Sequence, residues 1–264
     1  MAPERRNTDK SPDAARRSGA HAAPSEGWIW GRHAVLAALA NPRREVRALH
    51  VTRNAAADLP AGAEPEIDHP DRIAGRLPAG AVHQGFAARV GALAPEPLQA
   101  VADPTHGALV VLDQITDPHN VGAIFRSAAA FGARAILMQD RKSPPLFGAV
   151  CKAAVGATEI VGHVRVTNIA DTLASLREAG RVAIGLAGDA EASLESLVEA
   201  HAGPGLVIAL GAEDKGLRPR VADHCDALAR IPMSPRMESL NVSNAAAIAL
   251  YEASRRDPRI NPRD

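Results

Sequence analysis

The sequence predicts an α/β protein: a mostly parallel sheet covered on both faces, preceded by a smaller α/β unit. Three observations carry this. From Ala108 onward, short apolar runs alternate with helix-like segments, as a parallel sheet with crossover helices requires. Three of those apolar runs open into polar, glycine-bearing or serine- and asparagine-rich turns. A proline-rich stretch with Pro95, Pro97 and Pro104 separates this region from what precedes it, and residues 92–106 read as a linker.

Bulk properties set the limits. A chain of 264 residues holds one large domain or two small ones. Apolar residues make up 46% but aromatics only 3%, so Ala, Val and Leu must fill the core. Formal net charge is zero, which gives no global sign of a nucleic-acid partner, although local basic patches decide that question. Two cysteines, Cys151 and Cys225, are too few for a disulfide scaffold or a cysteine-rich zinc site, so a reduced, cytoplasmic protein is expected. No apolar run reaches the roughly 18 residues needed to cross a bilayer, and no membrane association is expected.

In chain order, residues 1–26 read as a disordered, mixed-charge tail. Arg5, Arg6, Arg16 and Arg17 precede no hydrophobic segment, and Glu4, Asp9 and Asp13 oppose a transit peptide. Order is expected from near Trp28. Val35, Leu36 and Leu39 share one face of a helix from Gly31 that Asn41-Pro42 ends. Val46–Thr52 alternates as a strand, and Gly85–Val90 forms another. These pieces make a small α/β unit over residues 27–91. The larger domain, residues 107–258, is expected to have strands at 109–115, 134–139, 181–187, 205–211 and 227–232. Its expected helices are 121–131, 171–179, 219–224 and 242–256. Ligands of such sheets bind beyond the carboxyl ends of the strands, where all three polar turns fall.

The first turn contains Asp117-Pro-His-Asn120. As a plain proline turn, it has Asn120 capping the next helix. Arg126 argues for more. It stands in a helix otherwise made of residues such as Val121, Ile124 and Phe125, sharing a face with the helix start near Asn120 and Gly122. An arginine on so apolar a helix calls for an anion, either a substrate phosphate or carboxylate or an internal ion pair. The second turn is Gly211-Ala-Glu-Asp-Lys-Gly216. Gly211 lets a backbone or ligand approach closely, and Glu213 is either a site residue or a carboxylate favouring the positive end of the following helix. No Gly-Lys-Ser/Thr phosphate loop and no GxGxxG after the first strand are present, against ATP-driven or NAD-dependent chemistry.

The third turn, Ile231-Pro-Met-Ser-Pro-Arg-Met-Glu-Ser-Leu-Asn-Val-Ser-Asn244, concentrates Ser239, Asn241, Ser243 and Asn244 at a helix start. Capping accounts for one or two of them, not four. The histidines lack ligand spacing and no metal is assigned. Gly-x-Ser-x-Gly is absent, so no serine hydrolase signal exists.

In order and spacing, the three turns resemble the SpoU (TrmH-like) branch of the SPOUT RNA methyltransferases. The first family motif resembles Asp117–Arg126, the second Leu210–Leu217, and the third Ile231–Met233 with Ser239–Ser243. Preceding residues 27–91, with Gly80–Gly85, resemble the ribosomal-protein-L30e-like substrate-binding domain of bacterial 23S rRNA guanosine 2′-O-methyltransferases. The resemblance implies a trefoil knot, S-adenosylmethionine held by backbone at Gly211, Ile231 and Leu240, and a homodimer through the knotted region. It also implies Arg126 as the catalytic arginine, with Asn120, Glu213, Ser239 and Asn241 as active-site polar groups. Arg236 and Glu238 depart from the small-residue turn often seen before the third motif. The implied reaction is 2′-O-methylation of RNA, a 23S rRNA guanosine foremost. A tRNA 2′-O-methyltransferase and a non-catalytic RNA-binding member of the fold are the competing readings.

Overall fold

The structure is a computed structural model that describes residues 24–201, 205–255, 257 and 260. Of the tail expected over 1–26, residues 1–23 lie outside the described residues, and Glu26 already belongs to a strand. In the first unit, β1 (Glu26–Trp30), β2 (Val46–Val51), β3 (Glu66–Ile67) and β4 (Phe86–Gly91) pair in the order β1-β4-β2-β3. Helices α1 (Arg32–Ala40) and α2 (Pro70–Ala74) complete it. Helix α1 buries Ala34, Val35 and Ala38, with Leu36 and Leu39 packed at the margin of the same cluster. It stops at Asn41, whose backbone is extended because the following Pro42 disfavours a helical residue before it.

The second unit runs α3 (Gln99–Ala102), β5 (Leu109–Leu112), α4 (Pro118–Ala130), β6 (Ala135–Gln139), α5 (Gly148–Ala154) and β7 (Gly162–Val166). It continues with α6 (Ile169–Glu178), β8 (Val182–Leu186), β9 (Ala192–Ser193), α7 (Leu194–Ala200) and β10 (Leu206–Leu210). Last come α8 (Pro219–Ala222), β11 (Ala227–Arg230) and α9 (Val242–Ser254). The strands form a seven-stranded sheet ordered β7-β6-β5-β10-β8-β11-β9, with every pairing parallel. Alternate residues of β5 serve opposite faces. Val110 and Leu112 join Ile124, Phe125 and Leu250 on one side, while Leu109 and Val111 join Val101 and Leu173 on the other. Each such buried side chain contributes about 1.5–3 kcal/mol. The chain builds outward from β5 through β6 to β7, then reverses, and β10 enters between β5 and β8. That reversal is a topological switch point, where α/β sheets hold ligands.

Residues 92–106 join the two units and are pinned along their length. The Glu96 amide donates to the His163 carbonyl at 2.8 Å, and Glu96 pairs with Arg134. Val101 is fully buried. The buried Arg181 guanidinium donates to the carbonyls of Val101, Ala102 and Gly107 at 2.8–2.9 Å, fastening the segment to the end of α6.

The two units share a buried seam. Glu159 is almost fully buried and accepts from Arg44 Nη2 at 2.5 Å and from Asn41 Nδ2 at 2.8 Å. Arg44 Nη1 also donates to the Gly91 carbonyl at 2.9 Å. Phe147 and Cys151 of the second unit belong to the apolar cluster of the first. A Cβ at Gly27 would sit 2.6 Å from the Phe147 ring, so only glycine lets β1 approach α5 this closely. Burial pushes the Cys151 thiol up to about 11, which leaves it protonated and unreactive.

His163 lies at the edge of this seam, and burial pushes its imidazole down to about 4, helped by nearby Arg165. The ordinary value is roughly 6.5, so the unfolded chain binds a proton that the folded chain refuses between those limits. The contribution is therefore present above the unfolded value and is lost as pH falls toward the folded one, about 3 kcal/mol in the limit. Chemical denaturation across that window should show a shallower loss of stability for His163→Gln than for the wild type. Parallel curves would exclude His163 as the cause.

β7, α5 and α7 have no counterpart among the expected elements. The sequence of β7 places His163 and Arg165 among its apolar residues, but both serve the fold. Arg165 donates to the carbonyls of Gln139, Ser143 and Pro144. Helices α5 and α7 have seven residues each, too short for apolar periodicity to declare itself. Among the described residues no helix is long and apolar enough to cross a membrane.

Candidate active site

The carboxyl ends of β8, β10 and β11 enclose a cleft of about 260 Å³. Gly211, Ile231 and Leu240, the three positions expected to border a cofactor, all line it, with Glu213 and Ser239 at its polar side. Gly211 follows β10, and a Cβ there would meet the Gly216 carbonyl carbon at 2.0 Å. The loop folds back onto its own start, bridging Ala212 to Gly216, and any side chain at 211 would force it open. Leu186, Ala187 and Gly188 form another wall. No sequence motif marks them, although they end and follow the expected strand 181–187 and so fall under the strand-end rule.

Glu213 joins the three turns. Its Oε1 accepts from Asn241 Nδ2 at 2.7 Å, Asn120 Nδ2 at 3.0 Å and the Val242 amide at 3.5 Å. Asn241 Nδ2 also donates to Asn120 Oδ1 at 3.0 Å. The helix that Glu213 supports is therefore α9, not the helix next in sequence. Each carboxamide fixes the other, and together they fix the carboxylate. Glu213 Oε2 takes no donor among the described residues.

Capping divides differently from the expectation. Asp117 caps α4, accepting from the amides of His119 and Asn120. That frees the Asn120 side chain for Glu213. Asn241 caps α9 by accepting from the Ser243 amide at 2.9 Å, and Ser243 Oγ donates to the same oxygen at 2.5 Å. Capping thus accounts for Asn241 and Ser243 but not for Ser239, which is exposed and makes no side-chain hydrogen bond among the described residues.

Arg126 stands apart. It is exposed on α4 with His119, seven residues earlier and on the same side of the helix, whereas Asn120 and Gly122 are buried. Of the two residues expected on its face, Gly122 lies one helical turn before it on that side, while Asn120 is turned roughly 120° away. Arg126 makes no ion pair among the described residues, so the internal salt bridge that was its alternative is absent there.

Asp113 is a functional neighbour that no motif in the sequence marks. It is fully buried at the end of β5. Its carboxylate accepts from the Arg218 amide at 3.0 Å and Nε at 2.8 Å, and lies 2.7 Å from Nη2. The pair ties the Gly211–Leu217 loop to the strand that carries the first turn. A carboxylate ending an entirely apolar strand was the available signal.

Histidine spacing in sequence concealed one cluster: His50, Glu66 and Asp68 place possible ligand atoms within 4.8 Å of one another. Arg76 approaches both carboxylates and Arg72 approaches Asp68, so arginines supply the positive charge at this cluster.

Comparison with known proteins adds the following. The SpoU rRNA methylase family model matches residues 107–251. A protein of Pseudomonas aeruginosa named 23S rRNA (guanosine-2′-O-)-methyltransferase RlmB is 36% identical over 239 residues, covering 86% of this chain and 95% of its own. One of the same name from Xanthomonas campestris pv. campestris is 45% identical over 178 residues, covering 66% of this chain and 70% of its own. In fold, the chain resembles the SpoU methyltransferase AviRb from Streptomyces viridochromogenes, solved in complex with AdoMet. The TM-score is 0.74 at 24% identity over 90% of this chain and 92% of that one.

Proposed function

Because the chain belongs to the SpoU rRNA methylase family, we propose that it transfers a methyl group from S-adenosylmethionine to the ribose 2′-hydroxyl of a guanosine in 23S rRNA. The observation that carries this is the convergence of Asn120 and Asn241 on Glu213 beside the cleft. Relatives named for this reaction support the substrate.

The cleft suits the cofactor. Its walls are apolar at Leu186, Ile231 and Leu240, with backbone exposed around Gly188 and Gly211, matching a flat heteroaromatic group with hydrogen-bonding edges. Bound there, S-adenosylmethionine supplies an activated methyl group. Gly211, Ile231 and Leu240 hold it, and Glu213 and Ser239 face the reacting ribose. The protein's task is to align the 2′-oxygen with that methyl group and to take up its proton, and alignment alone lowers a barrier by several kcal/mol. Asn120 and Asn241 hold Glu213 so that its unpartnered oxygen receives the hydroxyl hydrogen. A guanidinium such as that of Arg126 is a poor proton acceptor. We assign it the neighbouring phosphate, whose negative charge it both orients and offsets.

Arg126 makes no hydrogen bond to the Glu213 cluster and does not line the cleft within one chain, an arrangement that suits a homodimer with active sites near the subunit interface. The exposed Ile248 and Tyr251 on α9 provide an apolar face for it. The order of β5, β10 and β8, with residues 211–217 folded over the strand ends, supports a trefoil knot. The mixed four-stranded first sheet supports an L30e-like RNA-binding unit. The proposed place of action is the cytoplasm.

Incubating the protein with 23S rRNA, tRNA and radiolabelled S-adenosylmethionine tests the function. Label should enter 23S rRNA at one guanosine whose 3′ linkage then resists alkali. Label confined to tRNA, or none, would refute the proposal.

A further inference from the structure

A second, larger cleft of about 800 Å³ opens between the two units. Trp28 and Trp30 of β1 form part of its lining, with the exposed Val82 opposite the Pro118–His119 start of α4. Arg76, Lys152 and His119 are its ionisable lining groups, and among the described residues no carboxylate lines it. Lys152 makes no ion pair among the described residues; Nζ donates to Gln84 at 2.9 Å. Partial burial lowers its pKa. The Trp28 ring is half-buried and backed by His50, with ring centroids 5.6 Å apart, so it is held in place before any ligand arrives.

We propose that this cleft binds an unpaired nucleotide of the substrate RNA, its base stacked against Trp28 and its phosphate held by Lys152 and Arg76. Charge favours this occupant: a polyanion meets Lys152, which has no ion pair among the described residues, and Arg76, whose carboxylate partners Glu66 and Asp68 lie outside the lining, while a flat apolar base meets an indole face. Position favours it as well. The cleft ends at His119, and the adjacent residue, Asn120, bonds to Glu213, so a strand placing its ribose beside Glu213 continues into the cleft. The inference rests on the RNA methylation proposed above and adds to it a specificity site outside the cofactor cleft. An unpaired base fits and a duplex does not, which confines methylation to nucleotides next to a looped or bulged base.

The test uses the full chain. Both tryptophans of the protein line this cleft, so intrinsic emission reports on it alone. A single-stranded RNA of about ten nucleotides should quench that emission, and a blunt duplex of equal length should not, because stacking needs a free base face. Trp28→Leu and Lys152→Gln should each raise KM for a 23S rRNA fragment about tenfold, with kcat within about twofold. Trp28→Phe should restore KM, which loss of folding would not allow. Equal quenching by duplex, no quenching, or an unchanged KM in both variants overturns the proposal. So does an emission change that tracks protein concentration, which would mean a second copy in the cleft. An emission change on deleting residues 1–23 would place the chain's own tail there and overturn it equally. Quenching is read without methyl transfer. A wild-type protein that labels no RNA therefore refutes the enzymatic function, while the emission titration still decides the cleft.

Discussion

Arg126→Ala should abolish methyl transfer while leaving S-adenosylmethionine affinity within about twofold. The side chain is exposed, makes no ion pair among the described residues and stands outside the cleft lining. Its removal leaves no buried charge stranded and no packing void, so stability should hold. The loss falls on the reacting complex. Removing one well-placed cationic or hydrogen-bonding contact to developing charge typically lowers turnover about 10²–10³-fold. Single-turnover transfer with labelled cofactor measures the rate, and calorimetry measures cofactor binding. Turnover near the wild-type value would remove Arg126 from the mechanism, and a parallel loss of cofactor affinity would reassign it to binding.

Glu213→Gln and Glu213→Ala should fail in different ways. Glutamine keeps an oxygen able to accept from Asn120, Asn241 and the Val242 amide, but puts an amide donor where the free carboxylate oxygen stood. Turnover should fall about a hundredfold or more with cofactor affinity nearly kept, as expected on losing a positioned base. Alanine removes the acceptor of both carboxamides and of the α9 amide. Hydrogen bonds to a charged acceptor contribute about 1.5–3 kcal/mol, and the exposure of Glu213 places this cluster at or below the lower end. The alanine variant should therefore lose turnover, cofactor affinity and a few degrees of thermal stability together. Equal turnover in the glutamine variant and the wild type would show that Glu213 only positions its neighbours.

Much of the second unit is legible in the sequence because buried parallel strands announce themselves. Expected strands at 109–115, 134–139, 181–187, 205–211 and 227–232 contain β5, β6, β8, β10 and β11. Gly211 is legible too, since a glycine ending an apolar strand implies close approach. The rest is hidden for physical reasons. Periodicity describes neighbours along one helix or strand, whereas Asn120, Glu213 and Asn241 meet across 93 and 121 residues of chain. Only the resemblance to a family joins them beforehand. Asn120 is turned away from the Arg126 face of α4 because the 100° step between helical residues, not proximity in sequence, decides which residues share a face, whereas Gly122, one turn before Arg126, lies on that side. Glu159 gives no sign of its role: a carboxylate in a short helical turn reads as surface until Arg44 and Asn41 arrive from the other unit.

That buried Arg44–Glu159 contact sets a length. Because the first unit is clamped rather than tethered to the second, an RNA gripped by the first unit, as proposed above, meets the Glu213 cluster at a separation that the protein fixes. The molecule works as a caliper. On that reading, the nucleotide to be modified is selected by its distance from the gripped segment, measured along the folded RNA, as much as by the identity of its base.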